Sequence, residues 1–164
     1  MRLLVAALAA QLFAQTPAPP GRSLPPPPTV KLNALTEAER KALNSSERSA
    51  LVAGVHRRLP AKAAKGRWTT LKDGTRLWRV AIHSPCANAL RIHFRGLDAG
   101  KGKVWVYSSD GSQPFGPYSG KGPGEQGDFW SDVVDSDTVI IEYQADGKLI
   151  RPPFTVPEIS HLAR

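Results

Sequence analysis

The four histidines are the first residues whose spacing can be tested for chemistry. His56, His83, His93 and His161 lie far apart, and no H-x-x-x-H or H-E-x-x-H pair places two zinc ligands on one helical face. His83 and His93 fall on the predicted outward faces of two neighbouring strands, where they could meet. A cross-strand polar pair between them is favoured over a zinc site, so no metal site is predicted from histidine.

Nucleophilic side chains lack a recognisable catalytic setting. The chain contains no G-x-S-x-G turn, and its single cysteine, Cys86, stands in no recognisable catalytic motif. A triad assembled from distant residues stays open in principle, because such arrangements do not depend on sequence proximity. We nevertheless expect no catalytic residue in this chain.

Five carboxylates fall within fifteen residues near the C-terminal end of the chain. They are Asp128, Asp132, Asp135, Asp137 and Glu142. Oxygen ligands in a loop can hold calcium, but the Asp-x-Asp-x-Asp-Gly order of a helix-loop-helix site is missing. Acidic residues at turns and solvent faces are the favoured interpretation. We predict no cofactor and leave calcium as the one open metal.

A glycine-rich stretch precedes these carboxylates. Residues 122–127 match G-x-G-x-x-G, but a strand is predicted after them, whereas a phosphate site needs a helix N-terminus there. Phe115, Tyr118 and Trp130 flank the stretch and predict a long flexible loop with aromatic walls, which is a candidate ligand-binding site. The favoured interpretation is that Tyr118 and Trp130 fold over an edge of the core, and ligand binding is the alternative.

Five basic residues fall in an eleven-residue connector. They are Arg57, Arg58, Lys62, Lys65 and Arg67. Nucleic-acid binding is one interpretation of a basic patch, but it does not suit an exported chain, and we expect no nucleic-acid partner. A solvated loop is favoured, and an exposed processing loop for trypsin-like cleavage is the alternative.

Short strands must position these residues. The chain has 164 residues with 14 Gly and 15 Pro, which favours turn-rich β structure. Apolar residues alternate with polar ones in residues 77–84 and 89–94, and Asp73-Gly74 predicts a tight hairpin turn. Strands are predicted at residues 51–55, 67–71, 77–84, 89–94, 104–108, 128–134, 138–143 and 154–159. Eight strands indicate an all-β, antiparallel, jelly-roll-like β-sandwich.

The N-terminal third divides into segments of different composition. An apolar run after Arg2 predicts a signal peptide over residues 1–15, and it is too short to span a bilayer. Seven of thirteen residues from Thr16 to Pro28 are proline, which predicts a disordered Pro-rich linker over residues 16–30. Thr36 and Glu39 form a capping box within a short-helix segment, residues 31–48. The sandwich then occupies residues 49–164.

This organisation predicts a secreted or periplasmic protein without stable membrane insertion. The formal net charge is +8. One cysteine cannot form an internal disulfide, so in an oxidising compartment Cys86 is either buried or available to a partner on another chain. Burial is favoured.

Aromatic and turn residues form a distinctive pattern from position 51 onward. They are Gly54-Val55-His56-Arg57, Trp68, Asp73-Gly74, Leu77-Trp78-Arg79, Ile82, Ser84-Pro85, Ala87, Ala89-Leu90-Arg91, His93-Phe94, Val104-Trp105-Val106-Tyr107-Ser108, Gly116-Pro117-Tyr118, Gly127-Asp128-Phe129-Trp130, Val139, Ile141-Glu142-Tyr143 and Ile159-Ser160-His161-Leu162. This pattern resembles the N-terminal non-catalytic region of secreted bacterial trypsin-like serine proteases similar to lysyl endopeptidase.

The resemblance implies a β-sandwich that accompanies a protease domain. The Ala-Ala-His-Cys and Gly-Asp-Ser-Gly-Gly signatures of such proteases have no counterpart in this sequence, so no catalytic residue is carried over. The implied function is a non-catalytic accessory or pro-region module, active in folding, inhibition or docking, with a trypsin-like protease domain as partner in cis or in trans. The alternative is a free-standing secreted module that binds polysaccharide or a cell-envelope protein.

Overall fold

The computed structural model describes residues 17–44, 54–60 and 65–163. The predicted signal peptide lies outside these residues. The elements are β1 Thr29–Lys31, α1 Glu37–Asn44, β2 Gly54–Arg58, β3 Arg67–Thr70, β4 Arg76–His83, β5 Ala89–Phe94, β6 Lys103–Ser108, β7 Phe115–Tyr118, β8 Phe129–Trp130, β9 Thr138–Gln144 and β10 Glu158–Leu162, with a short 3-10 turn at Pro123–Glu125.

Two sheets face each other. The six-stranded sheet runs β1-β4-β9-β6-β7, with β3 also paired to β4, and the four-stranded sheet runs β2-β10-β5-β8. All pairings are antiparallel except β1 with β4, which is parallel. The prediction of an all-β sandwich is confirmed. No helix in the described part of the chain is long and apolar enough to cross a bilayer.

The core lies between the sheets and is built from alternate strand positions. Trp78, Val80 and Ile82 of β4 point into it, as the alternation predicts. The opposite face of the six-stranded sheet is also buried, because Ala81 packs there with Trp105 and other residues in a second apolar cluster. Something must therefore cover the outer face of this sheet.

Residues 17–31, which we call the N-terminal strap, cross that outer face and end in β1 at the edge of the sheet. The indole Nε1 of Trp105 donates to the carbonyl of Pro17 over 3.0 Å, and β1 extends the sheet beside β4. The proline content predicts a spacer here, but the structure differs. Proline lacks an N–H yet keeps its carbonyl, so side-chain donors of the sheet can bind the segment without a regular ladder.

Buried polar groups hold the strap at Gly21. The Gly21 amide donates to Glu142 Oε1 over 2.9 Å, and Arg79 Nη1 donates to the Gly21 carbonyl over 2.9 Å. A second Arg79 nitrogen donates to the carbonyl of Pro25, and the Tyr107 hydroxyl donates to Glu142 Oε2 over 2.6 Å. A Cβ at Gly21 would overlap the Glu142 carboxylate, so this position requires glycine.

The helix and the first hairpin match their local signals. The Thr36 amide donates to Glu39 Oε2, and the Glu39 amide donates to Thr36 Oγ1, which confirms the capping box. Asp73 Oδ1 accepts from the Thr75 amide and Gly74 has a φ of 86°, so Asp73-Gly74 forms the turn between β3 and β4.

Several predicted strands differ from the observed ones. The stretch 115–118, predicted as part of a loop, forms β7 along β6, and β8 keeps only two residues of the strand predicted at residues 128–134. The prediction that His83 and His93 meet is wrong, because β4 and β5 lie in different sheets. His83 instead binds Thr138 Oγ1.

Candidate functional site

The aromatic residues predicted to bind a ligand are distributed over two parts of the sandwich. Tyr118 lies on β7, where its ring packs 5.1 Å from Phe129 and its hydroxyl donates to Asp132 Oδ2 over 2.8 Å. Burial raises the pKa of the Tyr118 hydroxyl. Phe115 is half-buried on the same strand and packs against the core. A ligand-binding role for these residues stays a prediction.

Trp130 lies elsewhere, on the outer face of the four-stranded sheet. It stacks on His93 with ring centroids 4.7 Å apart, and His56 approaches it at 4.8 Å. His93 Nδ1 lies 3.0 Å from Glu158 Oε1, and its Nε2 lies 2.7 Å from Asp128 Oδ1. The hydrogen bond from His93 lowers the pKa of Asp128. This group is an ordered polar and aromatic surface.

The five clustered carboxylates do not converge. Asp128 binds His93, Asp132 binds Tyr118, and Glu142 is fully buried beneath the strap. Within residues 17–44, 54–60 and 65–163, no three His, Cys, Asp or Glu side chains are grouped so that they could hold a metal ion.

The basic residues predicted to form one exposed loop do not share one surface. Arg57 is buried on β2, only 8% exposed, because its guanidinium packs against Glu39 of α1 and against Ser84. The prediction of an exposed processing loop is therefore wrong for Arg57. Arg58, Lys65 and Arg67 are exposed, and Lys62 lies outside the described residues.

Arg57 links the helix to both sheets. Its guanidinium donates to Ser84 Oγ over 2.9 Å, to Glu39 Oε1 over 3.1 Å and to the carbonyl of Asn33 over 2.8 Å. Ser84 Oγ in turn lies 2.8 Å from His161 Nδ1. Residues far apart in sequence form this network, and no local signal indicated it.

The Ser84–His161 pair resembles half of a catalytic triad, but its surroundings oppose that chemistry. Both residues are 0% exposed, so a substrate cannot reach the serine oxygen. A general base must accept a proton and become cationic. Burial and the neighbouring positive charge of Arg57 instead lower the pKa of His161. The network is structural.

His161 is expected to make the fold less stable in acid. In the unfolded chain its pKa returns to about 6.5, whereas in the folded chain it is lower. The unfolded state then binds more protons between these two values, so the free energy of unfolding falls as the pH decreases below about 6.5. Urea unfolding at a series of pH values between about 7.5 and 5 measures this decrease in the free energy of unfolding.

His161→Gln is the matched variant, because glutamine does not titrate and can still bond to Ser84 Oγ. Arg57 and Glu39 are the charged groups that act on His161, and they are unchanged in the variant. We expect a flatter pH dependence in the variant than in the wild type. Identical slopes would contradict the assignment.

The prediction that Cys86 is buried is wrong. It is exposed and unpaired, at a φ of 63° in the turn after β4.

A loop between β9 and β10 is held by side chains from the β3–β4 hairpin. Trp68 Nε1 donates to the carbonyl of Ile150 over 3.0 Å, and Arg76 Nη1 donates to the carbonyl of Leu149 over 3.1 Å. The Arg76 guanidinium also lies 4.4 Å from the centre of the Trp68 ring. We call residues 146–151 the held loop.

The sequence matches the family model of the lysyl endopeptidase N-terminal domain over residues 23–163. The chain belongs to this family. Both sheets, α1 and residues 23–31 of the strap fall within the match, whereas residues 17–22 of the strap precede it. The resemblance noted in the sequence is confirmed. Comparisons with the curated proteins and with the solved structures give no match.

Proposed function

We propose that this chain is a non-catalytic accessory module that binds a trypsin-like, lysine-specific protease domain, in cis or in trans, outside the cytoplasm. The observation that carries the proposal is the family match, which spans nearly the whole described chain. The predicted signal peptide supports a secreted or periplasmic location. The burial of Ser84 and His161 supports a role without catalysis.

The proposed roles are folding assistance and inhibition, and binding energy links the two. A module that binds the native protease but not its unfolded chain stabilises the native state by mass action. The sandwich suits this role because its polar networks fix the strap and the helix before any partner binds. A preorganised surface loses less conformational entropy on binding than a mobile one.

Calorimetry of the purified chain with the catalytic domain of a lysyl endopeptidase tests the proposal. We expect one-to-one binding with a Kd in the micromolar range or below, the usual range for specific protein interfaces. The chain should also raise the yield of active protease after dilution from denaturant. An equal amount of an unrelated β-sandwich is the control.

Absence of binding and of any refolding effect would contradict the proposal. In that case, retention of the chain on insoluble cell-wall polysaccharide would support the free-standing binding module. The group formed by Trp130, His93 and His56 is the observation that favours this second candidate, because a tryptophan beside polar side chains on a sheet face suits sugar or peptide ligands.

A further inference from the structure

The held loop presents a lysine followed by two exposed apolar residues. We propose that Lys148 and Leu149 enter the active site of the lysine-specific protease in the manner of a substrate, with Lys148 in the specificity pocket, and that the loop is retained there as an inhibitor. This inference rests on the proposed function and assigns the partner site for it.

Exposure distinguishes this loop from the rest of the described surface. Ile150 is 88% exposed and Leu149 is 38% exposed, and within the described residues only Val133 is another exposed large apolar side chain. Lys148 and Arg151 flank them and are exposed as well. Two adjacent apolar side chains exposed to water cost solvation free energy, which a partner can recover by covering them.

Side chains of the β3–β4 hairpin hold the backbone of the loop in place. The two carbonyls that follow the Lys148–Leu149 bond accept hydrogen bonds from Arg76 and Trp68. Trp68 is itself held, because its strand pairs with β4 and its ring packs edge-on at 6.2 Å from Tyr143. A loop already held in one conformation loses little entropy when a protease binds it.

The same hydrogen bonds explain why the loop would resist cleavage. The protease serine oxygen attacks the Lys148 carbonyl, the acyl group passes to that oxygen, and Leu149 leaves as an amine with the proton supplied by the protease histidine. Arg76 and Trp68 keep the carbonyls of Leu149 and Ile150 in place, so the amine stays beside the acyl-enzyme. Attack by the amine then restores the peptide bond faster than water completes hydrolysis.

Charge supports lysine as the anchoring residue. A pocket that selects lysine must provide anionic or carbonyl oxygen acceptors for an ammonium group. Lys148, Arg151 and Arg76 place three positive charges around the loop against one negative charge from Asp146, and this positive excess favours approach to an acidic cleft.

Inhibition of a lysyl endopeptidase catalytic domain, measured with a chromogenic lysine substrate, tests the anchor. Lys148→Glu is expected to raise the inhibition constant by about 30-fold or more, as for loss of a central anchor. Lys121→Glu is the matched control, because Lys121 is also an exposed loop lysine. It makes the same charge change and should alter the constant by less than about threefold.

The hydrogen bonds behind the loop are tested with Trp68→Phe, which removes the indole donor and keeps an aromatic ring. Cleavage after Lys148, followed by mass spectrometry, is expected to become about five- to tenfold faster, which corresponds to one lost hydrogen bond. Circular dichroism and urea unfolding show whether the variant is folded. An unchanged cleavage rate in a folded variant would overturn the retention mechanism.

Binding to a protease inactivated by a lysyl chloromethyl ketone separates the two proposals. If the chain binds the free and the blocked protease equally well, and Lys148→Glu binds as the wild type does, the loop inference is wrong and the accessory function stands. If the wild-type chain binds neither form, both proposals fail. Competition between the chain and the blocking reagent supports both.

Discussion

Replacement of Glu142 by leucine is expected to lower the free energy of unfolding by about 3–5 kcal/mol. Glu142 is fully buried, where it accepts hydrogen bonds from the Gly21 amide and the Tyr107 hydroxyl. Arg79 lies opposite it on the neighbouring strand. The leucine variant leaves the Arg79 cation buried without its counter-charge and the Gly21 amide without an acceptor, which is the reason for the large loss.

The strap should detach in this variant before the sandwich unfolds. Gly21 is bound through its amide and its carbonyl, and the Glu142 carboxylate is the acceptor for the amide. Limited proteolysis measures this, since Arg22 is already exposed and release of the strap frees the backbone around it to enter a protease active site. Urea unfolding followed by tryptophan fluorescence gives the free energy, with Trp105 beneath the strap as a reporter.

Glu37→Leu is the matched control, because it makes the same change at an exposed ion pair with Arg40. Its effect should stay within about 0.5 kcal/mol. The double variant Arg79→Met with Glu142→Leu should recover part of the lost stability, because both buried charges are then absent. A loss in Glu142→Leu no larger than that in Glu37→Leu would show that the strap network contributes nothing.

The elements that the sequence predicts well are those specified by local patterns. β4 and β5 follow the alternation of apolar and polar residues that a strand with one face in the core requires, whereas β6 and β9 are mostly apolar runs because both faces of the six-stranded sheet are covered. The capping box at Thr36 and the turn at Asp73-Gly74 depend only on residues two or three apart, so they can be recognised without knowing the fold.

The features that sequence reasoning missed depend on distant contacts. Proline-rich composition indicates a segment that cannot form a ladder, but it does not reveal that Arg79 donors bind the carbonyls of that segment. In the sequence, Arg57 belongs to a charged connector. Its place inside the fold becomes evident only when β10, about a hundred residues later, is known to pair with β2. The hydrogen bond from Trp68 to Ile150 likewise joins residues 82 positions apart.

The aromatic cluster around Phe94 shows why the predicted loop is ordered. Phe94 is fully buried, and its ring centroid lies 5.2 Å from those of Phe129 and Phe154 and 6.2 Å from that of Tyr118. The sequence offered two interpretations of Tyr118, as a loop residue that binds a ligand and as a residue folded over a core edge. Because Tyr118 packs against Phe94, a substitution at Phe94 tests whether Tyr118 belongs to the edge of the core.

Phe94→Ala is expected to lower the free energy of unfolding by about 3–5 kcal/mol, because the cavity would remove contacts with three other aromatic rings. Phe94→Leu, which fills most of the space, should cost about 1 kcal/mol and serves as the control. Urea unfolding measures both. If β7 depends on this cluster, Phe94→Ala should also increase hydrogen exchange of the Tyr118 amide more than that of amides in β4. An equal increase in hydrogen exchange at the Tyr118 amide and at the β4 amides would mean that β7 is held by its pairing with β6 alone.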